Sequence, residues 1–175
     1  SCIEVDDPTW ATQNWTFYDD NIDPYTTFST NCDYPAGCGG SSSGGPYTLI
    51  PDQNFEQRLI DLGHDDVIDG QVLTANINGV ESLYLYNQNI SDLKGIEDFT
   101  ALTSLYCRGN QLTSLDISQN TALETLYCRN NQLTSLDVSQ NIALEYLNCN
   151  DNALTSLDVS NNISLQLLSC DTNQL

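Results

Sequence analysis

The feature that most constrains this chain is that it repeats itself. Residues 112–132 read LTSLDISQNTALETLYCRNNQ, and residues 133–153 read LTSLDVSQNIALEYLNCNDNA. On a period of 21, Leu102, Leu123, Leu144 and Leu165 fall in register, as do Leu105, Leu126, Leu147 and Leu168. Cys107, Cys128, Cys149 and Cys170 form a third column, and Asn110, Asn131, Asn152 and Asn173 a fourth. A repeat of this length is one turn of a solenoid, because each unit can bury its leucines only against the next.

Within a unit, SLYCR alternates in character, which predicts one short strand with Leu105 and Cys107 inward and Ser104, Tyr106 and Arg108 outward. Stacked units then make a parallel sheet. Leu112, Leu115 and Ile117 supply a second inward set on the far side of the core. The Asn that closes each strand is expected to bury its amide and bond the backbone of neighbouring turns; Gln88 stands in that place in the first unit. Asn120, Asn141 and Asn162 mark the opposite turn.

The pattern L-x-x-L-x-C-x-x-N-x-L resembles the leucine-rich repeat. An earlier unit of 22 residues, VESLYLYNQNISDLKGIEDFTA from Val80, ends in I-S-D-L-x-x-I-x-x-F, which is similar to internalin-type repeats of bacterial surface proteins. The later LTSLDVSxN units resemble repeats of secreted Bacteroidetes proteins. The resemblance spans about residues 50–175 and leaves 1–45 uncovered. It implies a repeat solenoid, mainly strand and coil with few helices, working outside a bacterial cell at its surface.

The repeated cysteines occupy an inward slot that holds Leu85 in the first unit. Cys107, Cys128, Cys149 and Cys170 are therefore read as buried free thiols packing as small apolar groups. In-register strands resist the dihedral a disulfide needs. Without paired C-x-x-C spacing or a nearby His, a metal role is disfavoured.

Four segments are expected: an aromatic, cysteine-bearing and β-rich segment (1–37), a Gly/Ser linker (38–46), a solenoid cap (47–79) and the repeats (80–175). In the cap, PDQNFEQRLIDLG predicts a helix with Asp52 as N-cap, Phe55, Leu59 and Leu62 on one face, and Gly63 ending it in a left-handed turn. The following DDVIDGQV is half of a calcium loop, making Asp65 and Asp69 candidate Ca²⁺ ligands. It has Val67 where a second oxygen ligand belongs and no distant Glu. In the front segment an extracellular chain would pair Cys32 with Cys38, or either with Cys2, leaving one thiol over. Asn14, Asn89 and Asn162 head N-x-S/T triplets and are candidate glycosylation sites; the Ser-rich linker is an equal candidate for O-linked sugar.

Four basic against 24 acidic side chains give a net charge of −20, which excludes nucleic acid and anionic membrane surfaces as partners. No apolar run is long enough to span a bilayer. The chain opens at Ser1-Cys2 without a charged-then-apolar leader, so any signal peptide is expected to be gone already. His64 is the single histidine and no phosphate-binding Gly loop occurs, so catalysis is not expected.

The outward strand positions remain. Tyr84, Tyr106 and Tyr127 form a column, Arg108 and Arg129 another, with Tyr86 and Tyr146 alongside. Two readings stay open: a Tyr ladder that only braces stacked strands, or a concave face that takes a protein or glycan ligand, since Tyr and Arg dominate binding hot spots. The expected function is non-enzymatic adhesion or binding at a bacterial surface. The alternative is a subunit of an extracellular filament or surface layer, assembling head to tail through an uncapped last turn and the N-terminal segment.

Overall fold

The computed structural model describes residues 46–175, together with the backbone of Cys2–Glu4 and Thr27–Ser29. The chain divides into two compact units, Ser1–Gly44 and Gly45–Leu175. In the first, strand β1 (Cys2–Glu4) pairs in parallel with β2 (Thr27–Ser29). The disulfide candidates Cys32 and Cys38, the Cys2 side chain, the sequon residue Asn14 and the front-segment aromatic side chains lie outside what is described.

The second unit opens with a cap. Strand β3 (Tyr47–Leu49) pairs antiparallel with β4 (Gln71–Leu73), and between them runs helix α1 (Gln53–Asp61); a short helix α2 (Thr74–Ile77) follows. Asp52 caps α1 by accepting the Asn54 and Phe55 amides at 2.9 and 3.1 Å. At the other end Gly63 takes φ +80°, the Gly63 amide bonds the Ile60 carbonyl and the His64 amide that of Leu59. This closure satisfies carbonyls the helix end leaves open. Phe55 and Leu59 are fully buried, and the Phe55 ring lies against Phe99 of the first repeat at 6.2 Å.

The repeats build one parallel sheet in chain order: β5 (Ser82–Tyr84), β6 (Ser104–Tyr106), β7 (Thr125–Tyr127), β8 (Tyr146–Asn148) and β9 (Leu167–Ser169). Pairing is in register, so Leu83, Leu105, Leu126, Leu147 and Leu168 stack, as the repeat requires. Leu112, Leu115 and Ile117 close the back of the core. The strand-closing asparagines work as amide staples. Asn110 Nδ2 donates to the Leu85 and Cys107 carbonyls, and its Oδ1 accepts the Gln88 and Ile90 amides. Gln88 is thus a client of the next turn's Asn, not its equivalent. A one-turn 3-10 helix, Ile96–Asp98, lies on the back of the first repeat.

The cap docks on this repeat through particular groups. Asp52 Oδ2 accepts the Ser91 amide, the Ser91 hydroxyl and the Asp92 amide at 2.7–3.1 Å. Thr48 Oγ1 donates to Asp98 at 2.5 Å. Gly95 (φ +101°) passes so close that a Cβ there would sit 2.6 Å from the Leu49 carbonyl oxygen and collide with Ile50.

Candidate functional site

The outer face of the sheet gathers the aromatic residues that alternation assigns to it. Tyr84 and Tyr106 stand directly opposite on adjacent strands and stack at 4.9 Å with an interplanar angle of 6°. Tyr127 meets Tyr106 edge-on at 5.4 Å, and Tyr86 meets Tyr84 edge-on at 6.4 Å. In register the row passes from Tyr127 to Asn148, while Tyr146, half-buried, stands one column over opposite Thr125, its hydroxyl 3.2 Å from Gln166 Oε1. The Arg108 guanidinium carbon stands 5.4 Å from the centre of the Tyr86 ring, a cation–π geometry. Arg129 occupies the same position one turn on, with the Gly109 amide bonded to its carbonyl.

Arg58 is a member of this neighbourhood that sequence reasoning passed over. It projects from α1, and its Nε donates to the Tyr84 carbonyl at the end of β5. Three of the four basic residues thus border the outer face. The usable signal was its place on the polar side of α1, but nothing in the chain's pattern shows that α1 lies beside β5. Before the strands, Glu81, Glu124 and Glu145 line the opposite rim, their carbonyls each accepting amides from the following turn. The face is therefore acidic along one edge and basic along the other.

The back of the solenoid offers two shallow grooves of about 340 and 330 Å³. The first is lined by Ser135, Asp137, Ser156 and Asp158, the second by Lys94, Glu97 and Asp116. Asp116, Asp137 and Asp158 each accept the amide two residues on, from Ser118, Ser139 and Ser160. The hydroxyl and amide of that serine together hold each carboxyl below the ordinary carboxylate value. Such self-satisfied turns are a property of the repeat, and they leave the outer sheet face as the stronger candidate.

Three expectations need correction. Cys107, Cys128 and Cys149 are buried free thiols, but Cys170 is only half-buried, because no further turn packs over it among the described residues. Burial pushes Cys107 up to about 12 and Cys149 to about 11, and it raises Cys128 with its neighbours Cys107 and Cys149 adding. Asn162 is a poor sugar acceptor: it is 4% exposed, and its Nδ2, the atom that would bear the glycan, donates to the Val138 and Asn141 carbonyls. Asn89 is exposed with φ +59°.

The calcium loop is the third. Its Asp69, Gly70 and Gln71 amides all point at one oxygen of Glu56, at 2.6–3.1 Å, and Asp69 Oδ1 is taken up by the Gln71 amide. Inward N–H groups receive an anion, so a carboxylate from α1 fills this loop instead of a cation. Among the described residues no group of three or more His, Cys, Asp or Glu side chains is placed to hold a metal ion. Nor, among them, is any helix long and apolar enough to cross a membrane.

Comparison with known proteins agrees with this architecture. A family described as "Leucine Rich repeats (2 copies)" matches residues 78–120, 100–141 and 121–161. Internalin J of Listeria monocytogenes serotype 4b (strain F2365) is 42% identical over 74 residues, which are 41% of this chain and 8% of that protein. The solved functional domain of InlJ from Listeria monocytogenes, which includes a cysteine ladder, superposes with a TM-score of 0.68 at 38% identity, over 74% of this chain and 30% of that one. A leucine-rich-repeat protein of Leptospira interrogans superposes at 0.55 with 30% identity, over 57% of this chain and 27% of that one. The chain therefore spans less than a third of each of these three relatives.

Proposed function

We propose that this chain, a leucine-rich-repeat protein of the bacterial internalin-like type, is a non-enzymatic binding module displayed outside the cell, and that it grips a protein partner on the outer, concave face of its sheet. The observation that carries this reading is the Tyr84–Tyr106–Tyr127 row with Arg108 beside it: large, semi-rigid side chains on a rigid ladder, with Tyr84 and Tyr86 each more than 40% exposed. Tyr and Arg are enriched among the few residues that dominate protein interfaces, and rings held by their neighbours lose little entropy on binding. On this reading the module serves adhesion.

The test is site-specific photocrosslinking on cells. A benzophenone side chain at Tyr106 should trap a discrete partner that the same group at Ser135, on the back, does not. Equal trapping from both positions, or none from either, would remove the reading. The alternative is a filament subunit. Light scattering on the isolated chain decides it: fibres support assembly, and a stable monomer disposes of it.

A further inference from the structure

We infer that Arg108 and Arg129 form a carboxylate clamp, and that the outer face takes an acidic segment of its protein partner; this inference rests on the sheet-face reading above. Among the described residues the one ion pair is Lys94 with Glu97, at 3.4 Å on the back of the solenoid. In a chain with 24 acidic side chains, neither Arg108 nor Arg129 has a carboxylate partner among those residues. Each guanidinium holds five N–H donors in a planar fork that fits a carboxylate. Arg58, by contrast, already gives its Nε to the Tyr84 carbonyl. The Gly109–Arg129 backbone bond sets the two Arg residues on neighbouring turns whose backbones lie about 4.8 Å apart, within the reach of side chains this long to one carboxylate. Tyr86 holds Arg108 in place from below.

The rest of the face orients such a ligand. The register column Tyr86, Arg108, Arg129, Asn150, Asp171 is basic next to the cap and turns acidic in the last turn. The opposite rim carries Glu81, Glu124 and Glu145, which repel an acidic chain. A ligand carboxylate is thereby directed to β6–β7.

The rings favour a peptide over an acidic glycan. Sugars stack on open ring faces, but Tyr84 and Tyr106 each give one face to the other and Tyr86 gives one to Arg108. The edge-on pairs Tyr106–Tyr127 and Tyr84–Tyr86 add ring edges to the row, and each ring carries a hydroxyl. Ring edges carry the positive end of the aromatic quadrupole, and phenol hydroxyls donate hydrogen bonds, so both suit carboxylates and peptide carbonyls.

The experiment is an NMR titration of the ¹⁵N-labelled chain with N-acetylated hexaglutamate, using hexalysine and tetragalacturonate as comparators. Hexaglutamate should shift the Arg108 and Arg129 Nε–H signals and the Tyr106 and Tyr127 amides, and hexalysine should not. The double substitution R108A/R129A should weaken binding at least tenfold. R108K/R129K, which keeps the charge but loses the fork, should weaken it several-fold. An unchanged affinity in R108A/R129A overturns the clamp, as does the absence of any shift on the Arg edge. Tighter binding of tetragalacturonate at the same edge overturns the peptide assignment. If the Arg edge ignores both anions while crosslinks still form from Tyr106, this inference fails and the binding-face reading stands. If the crosslinks fail too, both fall.

Discussion

Asp52 shows how much one side chain can hold. One oxygen caps α1 and the other receives three donors from Ser91 and Asp92 of the first repeat. Burial raises its pKa, but the hydrogen bonds from the Ser91 hydroxyl and amide, with those from Phe55 and Asp92, outweigh it and leave the group below the ordinary carboxylate value. A depressed folded pKa means stability that is present above the unfolded value and lost as pH falls through the folded one. Asp52→Ala should therefore cost about 1–2 kcal/mol in urea unfolding at pH 7, with the deficit shrinking in acid. Asp65 behaves oppositely. Burial pushes its carboxyl up, the Glu56 and Asp69 charges add to this, and its Oδ2 and Glu56 Oε2 are both buried without a hydrogen-bond partner. A raised folded pKa favours the fold at low pH and is a liability above it. Asp65→Asn should raise the melting temperature at pH 7, and the gain should vanish as pH drops through the carboxylate range. A lower melting temperature at pH 7 would mean that the charge is used.

At the scale of elements, the solenoid is a set of ladders with different tolerances. The asparagine ladder at the back turn is rigid: Asn141 Nδ2 donates to the Ile117 and Asn120 carbonyls, and Asn120 does the same to Ile96 and Phe99. The cysteine ladder is a packing device, graded from sealed to accessible along the chain. Iodoacetamide at neutral pH should modify Cys170 well before Cys107 or Cys128, which mass spectrometry of the folded chain reads directly; equal rates would show that the ladder opens. The junction of cap and first repeat depends on close approach. Gly95→Ala adds a Cβ against Leu49 and Ile50 at a positive φ, so it should destabilise the unit by more than the about 1 kcal/mol that a left-handed alanine alone costs. Chemical denaturation checks this.

For the repeat unit as a whole, stability is close to a sum of turns and the interfaces between them. The first turn is clamped by the cap, whereas Leu167 and Leu168 of β9 are 48% and 40% exposed. Amide hydrogen exchange should therefore be slowest in β5–β7 and fastest in β9. Uniform protection along the sheet would show that the array unfolds as one unit. This gradient leaves Arg108 and Arg129, on the turns of β6 and β7, in the most firmly held part of the sheet face. Ligand contact is most productive where the ladder is already ordered.

The sequence alone determined the solenoid, its strands, the inward leucines and cysteines, and the row of tyrosines. All of these follow from period and alternation, which are local rules written many times over. It also specified the helix from Asp52 to Gly63, because caps are local too. It did not disclose that Glu56 closes the loop taken for half a calcium site, that Arg58 reaches the end of β5, or that the Asn162 amide is spent on two carbonyls. Nor did it show that Tyr84 and Tyr106 stack on one another or that Arg108 lies over Tyr86. Each of these joins residues from different turns, or cap to repeat, through a contact set by three-dimensional packing. A motif lists which groups are available, and only the tertiary structure decides which are already satisfied and which are left to a partner.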